Sequence, residues 1–174
     1  AQSQPEGTFV FTDIPFESNL QFTVMAIFHE TTYSSNPAPA DMNSMQVALD
    51  VPVYDSTTDL TNVQIDQMHV LFDFAEDGLE TKEIYVISNA SDRTVKDVYE
   101  LAVDKTATLK FPLPEDAEYI FFKPDDQDRF VKLDSGFADT YPILPSTGST
   151  QLMVSYLVPY DGQRAYTYTA PLDI

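Results

Sequence analysis

A chain of 174 residues with 9 Lys and Arg against 28 Asp and Glu carries a formal net charge of −19, and it has no cysteine and no tryptophan but 10 Tyr and 12 Phe. A surface this negative repels phosphate backbones and anionic lipid, which argues against nucleic acid or a polybasic membrane contact. Without cysteine there are no disulfides, thiolate metal sites or cysteine nucleophiles. The size permits burial of roughly 70% of the unfolded surface, enough for one large β-sandwich or two small ones. The acidity is uneven, since residues 1–81 hold 13 acidic residues and no Lys or Arg. No apolar run approaches the ~18 residues of a spanning helix. The start Ala1-Gln2-Ser3, without Met, is as expected of a processed chain or a fragment.

In chain order, Thr8–Thr12 places Phe9 and Phe11 on one side of an extended segment that Pro15 ends, because proline offers no N–H to a ladder. Leu20–His29 reads as a second strand, with Leu20, Phe22, Val24, Ala26 and Phe28 on one face and His29 on the other. Ser34–Asp41 is a Pro-rich tether, and Met45–Tyr54 returns to alternation. Only three strands therefore precede residue 55, whereas sandwich sheets need about seven strands to cover each other. The first segment either adds strands to one larger sandwich or is the back half of a domain whose front strands come from another chain or were removed.

The stretch GTFVFTDIPFESNLQFTVMAIFHETTYSS resembles the last part of a carboxypeptidase regulatory-like (transthyretin-like) β-sandwich on Gly7, Phe9, Phe11, Ile14, Pro15, Phe22, Val24, Ala26 and Phe28, with Phe where the family usually has Tyr. The resemblance implies an accessory folding or binding domain.

After the turn-rich Asp55–Asp59, the most regular pattern is Met68–Asn89. Met68, Val70, Phe72 and Phe74 alternate before Glu76-Asp77-Gly78, and alternation resumes through Ile84, Tyr85, Val86 and Ile87, the signature of an antiparallel hairpin with one face in a core. Further strands are expected at Lys105–Phe111, Glu118–Phe122, Arg129–Leu133, Ser149–Val158 and Arg164–Thr169. No window carries helical periodicity with caps. YVISNASDRTV, the FPLP corner, GFADT and VSYLVPYDG are similar to exported bacterial β-domains that follow carboxypeptidase regulatory-like modules, which implies a location outside the cytoplasm. The expectation is an all-β chain of two β-sandwich (Ig-like or transthyretin-like) units, residues 1–54, incomplete, and residues 55–174.

Candidate chemistry is sparse. His29 and His69 lack metal spacing and read as surface strand residues. Glu115, Asp116, Glu118, Asp125, Asp126 and Asp128 offer carboxylate pairs, but glycosidase acids must face each other across a cleft, which loop neighbours seldom do. Asp125, Asp126 and Asp128 form the best calcium candidate, since hard cations take several oxygens from one flexible loop, although the EF-hand spacing and Gly are missing. Leu144-Pro145-Ser146-Thr147-Gly148 resembles a sortase sorting pattern without the apolar run that should follow, so a Pro/Gly turn is expected. Asn89-Ala90-Ser91 is a glycosylation sequon at a strand end. Tyr156, Tyr160, Tyr166 and Tyr168 could form a sugar-stacking platform.

These readings lead to a non-catalytic structural or assembly module, secreted or at the bacterial cell surface, that meets protein subunits or further copies of itself through sheet edges. The alternative is a carbohydrate-binding or adhesive module, with calcium as a possible cofactor.

Overall fold

The computed structural model describes residues 3–103, 105–146, 150–167 and 171–172 and is all-β apart from one short 3₁₀ turn. The chain divides into two compact units, Ala1–Val53 and Tyr54–Ile174.

In the first unit, β1 (Gln21–Phe22), β2 (Met25–Phe28), β3 (Thr31–Ser34) and β4 (Ala38–Pro39) form two two-stranded ladders, β1 with β4 and β2 with β3. The β2–β3 loop is only two residues, His29 and Glu30, both at positive φ (46° and 63°). That is the twist a two-residue hairpin demands, met here without glycine. His29 is therefore a turn residue stacked on Phe28 at 4.0 Å, not the strand residue that alternation suggests. Thr31, Tyr33 and Ser35 are buried, and the Ser35 hydroxyl accepts from the Val24 N–H. The strands expected at Thr8–Thr12 and Met45–Tyr54 do not form, and Leu20–His29 shrinks to β1 and β2. Alternating side chains give a segment two faces, but a strand also needs a ladder partner for its backbone. Among the described residues Thr8–Thr12 and Met45–Tyr54 have no ladder partner, and Val10 and Phe11 stay exposed.

In the second unit, β5 (Ser56–Thr57), β6 (Val63–Ala75), β7 (Gly78–Asn89), β8 (Thr94–Val95), β9 (Tyr99–Ala102), β10 (Lys105–Ala107), β11 (Leu109–Pro112), β12 (Glu118–Phe122), the 3₁₀ turn Pro124–Asp126, β13 (Phe130–Leu133), β14 (Gly136–Asp139) and β15 (Thr150–Val158) follow in order. One antiparallel sheet has the order β12-β15-β7-β6 and another β11-β14-β13; β5 with β8 and β9 with β10 are short accessory ladders. The expected hairpin is β6–β7, paired from Val63↔Asn89 to Ala75↔Gly78 with one bulge between Ile65 and Gln67. On β7 the odd-numbered residues from Leu79 to Asn89 face inward.

The core joins the two sheets. Tyr85 of the larger sheet lies 4.9 Å from Phe111 of the smaller, Phe111 stacks on Phe137 at 4.8 Å, and Phe122 and Phe130 close the cluster. Fully burying rings of this size contributes roughly 1.5–3 kcal/mol each. β14 is the central strand of the smaller sheet and all four of its residues are buried. Gly136 opens it at φ +149°, and a Cβ there would lie 2.0 Å from the Phe111 carbonyl oxygen. The close pairing Pro112↔Gly136 therefore requires glycine. No strand forms over the described part of the expected Arg164–Thr169, residues 164–167; Tyr168 and Thr169 lie outside the described residues.

Candidate functional site

The register of β6, β7 and β15 builds one continuous inner face. Val154 sits opposite Glu83, Tyr156 opposite Thr81 and Val158 opposite Leu79, while Val70, Phe72 and Phe74 of β6 occupy the same rows on the other side. At the Tyr85 end this face meets the smaller sheet. At the Leu79 end it forms the floor of a cavity of about 620 Å³, walled by Pro114–Asp116 and by residues 160–167. The two walls are tied together where Arg164 donates from Nη1 and Nη2 to both Asp116 oxygens, at 2.7 and 2.6 Å. The Arg164 hydrogen bonds and charge hold the Asp116 carboxyl below its usual range.

Beneath the cavity lies Glu83, 2% exposed. Its Oε1 accepts from the Tyr156 and Tyr166 phenols at 2.5 and 2.6 Å, and its Oε2 accepts from Tyr85 at 2.5 Å. A buried acid is tolerated when its lone pairs are filled this way, and three phenols fill them. Burial, then the bond to Glu83, pushes the Tyr156 phenol well above its ordinary range. Beside it the Thr81 hydroxyl is buried with no hydrogen-bond partner among the described residues. Phe72 meets Tyr166 edge to face at 5.4 Å, and Phe74 meets Tyr160 at 5.3 Å, so the residue 160–167 segment is held to the sheet by rings and side-chain bonds. No backbone ladder fixes it among the described residues.

The sequence candidates fall in different places. Tyr156, Tyr160 and Tyr166 do converge on this cavity, and Tyr168 lies outside the described residues. Asp125 and Asp126 sit in the 3₁₀ turn and Asp128 in the turn after it; among the described residues no group of three or more His, Asp or Glu could hold a metal ion. The charge of Asp126 instead adds to the field around Arg129. His69 is exposed on β6 and lies 3.3 Å from the Gln67 side-chain oxygen. Glu115 lines the cavity, Asp116 is engaged by Arg164, and Glu118 opens β12 at the surface. Leu144–Ser146 is irregular chain, and Thr147 and Gly148 lie outside the described residues. Asn89 is consumed internally: its Nδ2 donates to the Arg93 and Ile143 carbonyls at 2.8 and 3.0 Å, and its Oδ1 accepts from Ser91. A side chain 1% exposed and fully engaged has no room for a glycan.

Two groups escaped sequence reasoning. Glu83 shares the parity of Leu79, Tyr85 and Ile87, which was the available signal that a charged residue faces inward. The other is the ion pair of Arg129 and Asp139, where Nε donates to Oδ1 at 2.8 Å and Nη2 to Oδ2. Burial works against the Arg129 charge, but the Asp139 contacts outweigh it and hold the guanidinium above its usual range.

At the margin of the larger sheet, β6 has a neighbour on one side only among the described residues. Among the described residues no backbone hydrogen bond joins its outer side, over residues 64–75, to another segment. Leu71, Phe72 and Phe74 are exposed there, Phe74 by 71%. The opposite margin, β12, is five residues long, broken by a register shift between Glu118 and Phe121, with Tyr119 at positive φ. Bulges and short length blunt an edge; β6 past its own bulge is regular for eight residues, Met68–Ala75.

No family model, curated protein or solved structure matches the chain. No helix among the described residues is long and apolar enough to cross a membrane.

Proposed function

We propose that the chain is a non-catalytic assembly module of the bacterial cell surface or exterior that takes an extended segment of another chain onto the edge of β6. The observation that carries this reading is the open, regular, apolar margin Met68–Ala75, about 27 Å long at the rise of an antiparallel strand. Asp66, Asp73, Glu76, Asp77 and Glu80 surround that margin, with Lys82 the one basic residue on the paired stretch of β7. Charge complementarity therefore favours a segment alternating apolar and basic residues. A second copy with the same net charge of −19 is a poor occupant. The resemblance of YVISNASDRTV, GFADT and VSYLVPYDG to exported bacterial β-domains supports an extracytoplasmic setting.

The test is a synthetic decapeptide of alternating Val and Lys, read by amide hydrogen exchange. The expected result is slowed exchange within Met68–Ala75 and weaker binding to Leu71→Lys. Unchanged exchange in β6 at saturating peptide sinks the reading. Protection that appears without peptide and grows with protein concentration would replace the partner segment by a second copy.

A further inference from the structure

We infer that the cavity above Thr81 is a binding site for an organic cation, an alkylammonium or quaternary ammonium group. The backbone edge of β6 takes no part in this, although Phe72 and Phe74 of the same strand line the cavity.

Four of the lining side chains are rings, Phe72, Phe74, Tyr160 and Tyr166, in two edge-to-face pairs with interplanar angles of 76° and 62°. Rings inclined to one another in this way do not all share one plane, and the faces that their partners leave uncovered attract cations. The charge balance points the same way. Arg164 and Asp116 cancel as an ion pair, which leaves Glu115 as the one unmatched charge among the lining residues. Glu83 adds a further acid just below the floor, and the chain as a whole is at −19. An anion would enter against all of these.

The buried phenols strengthen the case. Tyr156 and Tyr166 spend their protons on Glu83, so neither hydroxyl is left to donate to a ligand. Donation to an acid also pushes electron density back into the ring, which deepens the negative potential of its face. A neutral sugar needs an array of free donors and acceptors. Here the phenols beneath the cavity are engaged, Gln163 and Thr167 are the remaining polar side chains of the 160–167 wall, and on the floor the buried Thr81 hydroxyl, unpartnered among the described residues, can accept from an ammonium N–H. The volume of about 620 Å³ leaves space beyond the ammonium head for an attached chain, whether of a free amine or of a partner's lysine.

The probes are choline and its uncharged carbon isostere 3,3-dimethyl-1-butanol, titrated calorimetrically into the full chain. Choline is expected to bind at least about tenfold more tightly than the alcohol, and Phe74→Leu to weaken choline by about 2- to 30-fold, the range that loss of one ring face predicts. Phe74 is largely exposed, so the variant retains the fold, which far-UV circular dichroism checks. Leu71→Lys, the edge variant, leaves choline binding unchanged, so the two proposals fail separately. N-acetyl-lysine methylamide separates the sources: tighter, Phe74-dependent binding than choline assigns the site to a protein side chain, weaker binding to a free amine, and either supports the cation. Equal binding of the alcohol, binding of maltose in place of choline, or choline binding indifferent to Phe74→Leu overturns the inference.

Discussion

Replacing Glu83 by Leu probes the polar knot under the cavity. The substitution removes the acceptor of three phenols, two of which, on Tyr85 and Tyr156, are each 1% exposed. A buried donor left without a partner costs about 1–3 kcal/mol, so the two together cost about 2–6 kcal/mol, with Tyr166 better able to turn to water. That is a large share of a domain stability of about 5–15 kcal/mol. Removing donors along with acceptor is far cheaper, because matched apolar groups leave nothing unsatisfied. The triple variant Glu83→Leu, Tyr85→Phe, Tyr156→Phe is therefore expected to recover most of the loss. Urea unfolding followed by near-ultraviolet circular dichroism of the tyrosines measures both, as the chain has no Trp to interfere. The reasoning is refuted if Glu83→Leu unfolds within about 0.5 kcal/mol of the parent, or if the triple variant is no more stable than the single one.

Three further outcomes follow from the second unit. Asp139→Ala leaves the Arg129 guanidinium buried and unpaired and is expected to cost about 3–5 kcal/mol by urea unfolding, whereas the paired change Arg129→Met, Asp139→Leu costs much less. Gly136→Ala forces a side chain into the Phe111 carbonyl at a positive φ and is expected to cost more than the ~1–3 kcal/mol of backbone strain alone, seen as a lowered Tm. The raised Tyr156 phenol gives an alkaline limit: the folded chain keeps a proton that the unfolded chain loses near pH 10.0, so stability is intact below that pH and falls as pH rises beyond it. Its contribution to the slope is about 1.4 kcal/mol per pH unit, and the loss of that contribution in Tyr156→Phe is read from urea midpoints between pH 8 and 12.

The all-β class was legible because period-two alternation runs through Val63–Asn89, and a side-chain period survives whatever packs against it. Glu83 was hidden by the same logic, since an acid in an alternating run is read as its solvent member until its partners are known. Those partners, Tyr156 and Tyr166, lie 73 and 83 residues away. β14 was missed because Gly136-Phe137-Ala138-Asp139 is buried on both faces and so shows no alternation at all. In the first unit the error ran the other way: Thr8–Thr12 and Met45–Tyr54 alternate well, yet ladders depend on a neighbour, which no local pattern encodes. Tyr156, Tyr160 and Tyr166 were recognisable as a group by proximity in sequence, but the acid beneath them, which changes the ligand class, was not.

The cavity and the open edge have one geometric cause. β6 and β7 run 13 and 12 residues, about 40 Å, while β11, β13 and β14 have four residues each, about 13 Å long, and at ~4.8 Å spacing span no more than that across. Whichever way the smaller sheet crosses the larger, it covers a third of the hairpin. That third is the one carrying Tyr85 and Ile87, and the overhang begins where β7 changes from aromatic to polar, at Glu83 and Thr81. Exposed rings on an edge strand invite aggregation, and Phe72 and Phe74 are partly shielded here by Tyr166 and Tyr160. Their position, opposite a tyrosine-bearing segment and among acids, ties both proposals to the same end of the hairpin.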